Sequence, residues 1–185
     1  MVHTQRSDVA PDPATARIGV AVDIPEPWGS RLTRRRAEAG DPLAAVMPAH
    51  LTLLSPTEVP ADALPRIERH LAEVAAVHRP YPLHLRGTGT FRPVTEVVFV
   101  AVAAGADQTR RLAAAIGGDP LLRRDTRFPY HPHVTVAHDV PTAALDAVHA
   151  DLADFSARFT ITGFTLFSQR APDRWEPRRE FVLGG

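Results

Sequence analysis

Apolar residues fall along the chain in short runs that switch between two periods. Residues 17–22 (Arg-Ile-Gly-Val-Ala-Val) are rich in β-branched side chains and closed by Pro25, which predicts a first strand. From 26 to 40, Trp28 and Leu32 lie in an Arg-rich segment that stops at Gly40 and Pro42, the pattern of a helix with one basic, solvated side. A second strand is predicted at 50–54, closed by Ser55-Pro56. Leu64, Ile67, Leu71, Val74 and Val77 then recur at helical spacing within 61–78. Residues 81–91 alternate, Leu83 and Leu85 against His84 and Arg86, and 97–102 is continuously apolar, so these two runs predict an antiparallel pair. A helix at 106–116, a strand at 133–136, a helix at 142–155 and strands at 159–167 and 179–183 complete the pattern.

The predicted order is β-α-β-α-β-β-α-β-α-β-β, an α+β arrangement whose second half resembles the first in element order. Residues 1–16 mix Thr, Ser, Asp, Pro and Ala without apolar periodicity, which predicts a flexible N-terminal tail ahead of a single domain at 17–185. A length of 185 residues suits one full core.

Composition narrows the chemistry. The chain has no cysteine, which excludes disulfides, zinc–thiolate sites, iron–sulfur clusters and a thiol nucleophile. Its 21 basic residues are balanced by 21 acidic ones, so no global positive field gathers nucleic acid and such a partner needs a local patch. No run approaches the roughly 18 apolar residues of a membrane span, and the N-terminus lacks the apolar core of a signal peptide. These features predict a cytoplasmic protein with no membrane partner.

Two strands carry the same tripeptide pattern. His50-Leu51-Thr52 and His133-Val134-Thr135 lie 83 residues apart, each followed by a further apolar residue. Chance gives about 0.7 His-x-Thr matches in such a chain, but about 0.14 with the apolar positions required, so a pair arises by chance about one time in a hundred. On a strand, residues i and i+2 share a face. Leu51, Leu53, Val134 and Val136 are therefore expected in the core, and each His shares the other face with its Thr. If the halves face one another, two imidazoles and two hydroxyls line one cleft. Such a group suits a phosphodiester: one neutral His takes a proton, one charged His gives a proton, and the hydroxyls donate to non-bridging oxygens.

With these motifs the chain resembles the two-histidine (2H) phosphoesterases, which include the 2′-5′ RNA ligase-like proteins and cyclic nucleotide phosphodiesterases. The turn Gly87-Thr88-Gly89-Thr90-Phe91 before the 97–102 run, and the ending from Trp175 to Phe181-Val182-Leu183, add to the resemblance. It implies a bilobal α+β fold: two antiparallel sheets with flanking helices, related by pseudo-twofold symmetry around a central cleft. It also implies that His50 and His133 are catalytic, that Thr52 and Thr135 bind phosphate, and that no metal or organic cofactor is needed. The implied activity acts on 2′,3′-cyclic or 2′-5′ phosphodiester bonds of an RNA end or small nucleotide. A non-catalytic module for phosphate-terminated RNA, or an RNA 2′-5′ ligase running the reverse reaction, is the alternative.

Several neighbouring residues are further candidates. Arg127, with Arg123 and Arg124, precedes the second motif and could grip phosphate, the alternative being a solvated loop. Tyr130, Phe91 and Trp175 could stack a base or serve packing. His131 competes with His133 for the catalytic assignment, but His133 alone has a Thr two residues later. His131, His133 and His138 could alternatively hold a metal.

Overall fold

Apolar runs such as 18–22, 51–54 and 97–102 can each offer alternate residues to one buried face, and so they pair side by side. In the computed structural model, which describes residues 14–124, 127–171 and 174–184, they lie within one antiparallel sheet. The strands are β1 (Thr15–Asp23), β2 (His50–Pro60), β3 (Tyr81–Thr90), β4 (Val97–Ala104), β5 (His133–His138), β6 (Ser156–Ile161), β7 (Gly163–Ala171) and β8 (Arg174–Val182). Their order across the sheet is β6-β3-β4-β5-β2-β1-β7-β8. Helices α1 (Trp28–Glu38), α2 (Leu64–Val77), α3 (Ala106–Ile116) and α4 (Thr142–Asp151) join the strands. They bury Leu32, Ile67, Leu71, Leu112 and Leu145 in the same apolar cluster as Leu51, Val100 and Val134 of the sheet.

The expected pair of sheets is thus a single continuous one. Its two four-strand halves meet where β2 and β5 pair antiparallel at Leu51 and Val134. The helices brace this narrow joint from both sides. Helix α1, which leads into β2, packs against β5, and α3, which leads into β5, packs against β2.

Three boundaries differ from the pattern reading for physical reasons. The strand expected at 159–167 is two strands, because β6 pairs with β3 while β7 pairs with β1 and β8, on opposite sides of the joint. Gly163 permits the change of partner, since a Cβ there would lie 2.5 Å from the Phe181 carbonyl oxygen. Strand β2 runs past Ser55-Pro56 because those two residues oppose Gly19 in a bulge, where a proline costs the ladder little. Strand β8 begins at Arg174 rather than 179, pairing early with Ala171 of β7.

At the N-terminus, Thr15 and Ala16 of the expected tail belong to β1 and pair with Pro60 and Val59. Residues 1–13 of that tail lie outside the described residues. The basic side of α1 is not simply solvated: Arg36 is buried, its Nε donating to Asp41 Oδ2 at 2.6 Å. Among the described residues no helix is long and apolar enough to cross a membrane.

Candidate active site

Strands β2 and β5 lie at the centre of the sheet, and their alternation separates core from chemistry. Leu51, Val134 and Val136 are fully buried and Leu53 nearly so, which leaves His50, Thr52, His133 and Thr135 half-buried on the opposite face. Stepping one residue either way from the Leu51–Val134 pair sets Thr52 beside His133 and His50 beside Thr135. Opposed residues of an antiparallel pair share a face, with Cβ atoms about 4.5–5.5 Å apart. Each imidazole therefore stands next to the hydroxyl of the other motif.

Both rings are held in the same way. His50 Nδ1 lies 2.7 Å from the Pro48 carbonyl oxygen, and His133 Nδ1 lies 2.7 Å from that of His131. A carbonyl can only accept, so each Nδ1 carries the hydrogen and each Nε2 is left to exchange a proton. The Pro48 carbonyl is placed from α1. Thr33 Oγ1 accepts from Ala49 N and donates to Gly29 O, both at 2.9 Å, and Arg36 Nη1 donates to Met47 O at 3.1 Å.

Burial pushes both imidazoles below their ordinary value. At His50 the Arg36 charge adds to that fall, while the Pro48 carbonyl and Asp23 oppose it. At His133 the charges of His131 and His50 add to it and the His131 carbonyl opposes it. The folded chain thus binds fewer protons here than the unfolded chain just below the ordinary histidine value of about 6.5. Stability from these rings is present above that value and lost as the pH falls toward the depressed folded values. A His50→Gln/His133→Gln double variant is expected to lose less Tm than the native protein between about pH 7.5 and about pH 5. Equal losses in thermal melts would contradict it.

A cavity opens on each side of the histidine pair. One, of about 270 Å³, is lined by Asp23, Met47, His50, Thr52, Phe167 and Trp175, among others. The other, of about 430 Å³, is lined by Thr52, Phe91, Phe128, Tyr130, His131 and His133, among others. Thr52 lines both, and Thr135 lines neither. The Phe91 ring stands edge-on to His133, centroids 4.9 Å apart at 88°, and leans on Phe99 at 4.5 Å. Gly89 makes room for this stack, since a Cβ there would come within 2.5 Å of the Phe99 ring. Tyr130 donates its hydroxyl to the Thr52 carbonyl at 2.6 Å, tying the segment before β5 to β2. Burial holds that phenol well above its usual range, so it remains a neutral donor.

The residues named from sequence therefore separate into groups. His50, His133, Thr52 and Thr135 come together, Trp175 lines the His50 cavity, and Phe91, Tyr130 and His131 line the His133 cavity. His131 serves His133 through its backbone carbonyl, while its exposed ring rests against Phe91 and Phe99. Arg127 is exposed over the Phe128 ring and lines neither cavity, and Arg124 donates to the Pro56 carbonyl at 2.8 Å. Among the described residues no three His, Asp or Glu side chains gather as a metal site, and His138 pairs instead with Asp139 at 3.4 Å. Sequence reading missed Asp23, Met47, Phe128 and Phe167, whose positions depend on strand register rather than on any local motif.

Residues 24–173 match the model of the 2′-5′ RNA ligase superfamily. A Bacillus cytotoxicus protein provisionally named a phosphoesterase is 31% identical over 150 residues, covering 78% of this chain and 84% of that protein. A Geobacillus kaustophilus protein named in the same way is 26% identical over 143 residues, covering 76% and 82%. Among solved structures, E. coli LigT complexed with 3′-AMP superposes with a TM-score of 0.70 at 21% identity, over 92% of this chain and 99% of LigT. LigT has also been solved with NADP+ and with ATP. A Thermus thermophilus protein superposes with a TM-score of 0.67 at 25% identity, over 91% and 98%.

Proposed function

The chain belongs to the 2′-5′ RNA ligase superfamily, and from that premise we propose that it is a metal-independent phosphodiesterase in which His50 and His133 act as general acid and base. Its substrates are 2′,3′-cyclic or 2′-5′ phosphodiesters of RNA ends or small nucleotides. The observation that carries this reading is the matched pair of imidazoles on adjoining strands, each with Nδ1 tied to a carbonyl and each beside the other motif's threonine.

An in-line displacement at phosphorus needs a proton acceptor on the entering oxygen and a proton donor on the leaving one. Two Nε2 atoms on either side of a cleft meet that need, and the Thr52 and Thr135 hydroxyls donate to the non-bridging oxygens. The matching places of α1 and α3 around the joint support reading the cleft as a pseudo-twofold axis with phosphorus on it. Aromatic cavities on both sides offer surfaces for a base. The nucleotide complexes of LigT support a ligand of that size. Among the described residues no arginine lines either cavity, and the chain's net charge is zero, which favours a small nucleotide or RNA end over long RNA.

The reading is tested by incubation with 2′,3′-cyclic mononucleotides and 2′-5′-linked dinucleotides in the presence of a chelator. Release of a nucleoside monophosphate, undiminished by the chelator, is expected. Absence of turnover together with tight binding of phosphate-terminated RNA would instead identify a binding module, and a requirement for a metal would overturn the mechanism.

A further inference from the structure

The two motifs share their backbone construction and differ in what is paired beside the imidazole. In both, the imidazole donates Nδ1–H to the carbonyl two residues earlier. In both, a bulge follows the threonine, at Leu53 in the pairing of β2 with β1 and at Val136 in the pairing of β5 with β4. The difference lies on the next strand outward. His50 is paired with Asp23 of β1, whereas His133 is paired with Ala101 of β4. Paired residues share a face, so a carboxylate stands beside one imidazole and a methyl group beside the other. Asp23 also lines the His50 cavity.

We infer that Asp23 breaks the symmetry of the site, making His50 the imidazole that holds the proton and hence the general acid, and leaving His133 as the general base. This assignment rests on the phosphodiesterase reading above.

The two rings are coupled, because the charge of His50 disfavours a proton on His133. A proton on one ring therefore disfavours a second on the other, and their surroundings decide which ring takes the first. His50 is faced by Asp23 from β1, by Arg36 from α1 and by His133 from β5, with Glu180 of β8 acting on Asp23. Arg36 opposes a charged His50, but its guanidinium is paired with the buried Asp41 carboxylate at 2.6 Å, which cancels much of its field at a distance. His133 is faced by His131 and His50, both of which repel a proton when charged. Burial, and after it Glu180, push the Asp23 carboxyl up, and a charged His50 pulls it down, so proton and carboxylate stabilise each other on this side of the cleft.

In hydrolysis, water gives a proton to His133 Nε2 as its oxygen bonds to phosphorus. The bond from phosphorus to the ribose oxygen breaks, and that oxygen takes the proton from His50 Nε2. One water is consumed, the proton ends on His133, and exchange with solvent returns it to His50. Asp23 touches neither oxygen and acts as a positioning residue for the proton.

Three measurements on Asp23→Asn, His50→Ala and His133→Ala test the assignment. Histidine Cε1–H titration by NMR is expected to show that Asp23→Asn lowers the pH at which His50 titrates and does not lower that of His133. In the kcat/KM profile, the alkaline limb of Asp23→Asn moves to lower pH while the acidic limb stays in place. A nucleoside nitrophenyl phosphodiester, whose leaving group needs no proton, restores activity to His50→Ala and not to His133→Ala. The assignment is overturned if Asp23→Asn leaves His50 unmoved, if the acidic limb moves instead, or if His133→Ala is the variant restored. If no diester is turned over, the acid and base roles fall with the reaction, while the NMR titration separately decides whether Asp23 charges His50.

Discussion

Replacement of either His50 or His133 by alanine is expected to reduce kcat/KM on a 2′,3′-cyclic nucleotide by at least ~10²–10⁴-fold, the range that one positioned proton donor or acceptor supplies. The two losses are expected to be similar, because the rings are held by matching carbonyl bonds and each carries one of the two proton transfers of a single displacement. Nor is the double variant expected to lose the product of both factors, since the two rings act on one displacement and the loss of one already removes the concerted path. Thr52→Val and Thr135→Val are expected to cost less, each removing one donor to a phosphate oxygen while leaving proton transfer intact. Steady-state kinetics on the four single variants and the double check this ranking. A threonine variant weaker than both histidine variants would contradict it.

Arg36→Met is expected to destabilise the fold by about 3–5 kcal/mol, the cost of stranding one partner of a buried ion pair. The Arg36 and Asp41 side chains are 4% and 1% exposed, and their contact is 2.6 Å. The substitution would leave the Asp41 carboxylate, among the described residues, with the backbone of Leu43 as its remaining donor, at 2.9 Å, and would release the Met47 carbonyl. Adding Asp41→Leu removes the stranded charge and is expected to restore part of the stability. It does not restore the bond to Met47, so turnover is expected to stay low in the double variant. Denaturant unfolding and kinetics on the same samples separate the two effects. Full recovery of both stability and rate would show that Arg36 has no part in placing the Pro48 carbonyl.

Much of the site was legible because strand parity is a local rule. The period of two placed Leu51 and Val134 inward, and with them the His and Thr of each motif outward, before any pairing was known. Helical spacing was equally local: of Leu64, Ile67, Leu71, Val74 and Val77, from which α2 was read, Ile67, Leu71 and Val74 are buried, whereas Leu64 is half-buried and Val77 exposed. What was not legible depends on which strands become neighbours. The meeting of β2 and β5 at a single residue pair, the parting of β6 from β7 at Thr162, and the place of Asp23 opposite His50 are all non-local. The run of Arg34, Arg35 and Arg36 read as one solvated face, yet helical rotation turns Arg36 inward, where Asp41 meets it. The loss of Arg127 from the cavity linings has a similar origin, since an arginine near a motif in sequence can turn to an aromatic ring instead.

The most direct test of a phosphorus centred between the two motifs is a crystal structure of the protein with a nucleoside vanadate, which imitates the five-coordinate phosphorus of the displacement. The account predicts His50 Nε2 and His133 Nε2 on opposite apical oxygens, with the Thr52 and Thr135 hydroxyls on equatorial oxygens. Vanadate held by one histidine alone, or bound away from both, would contradict it.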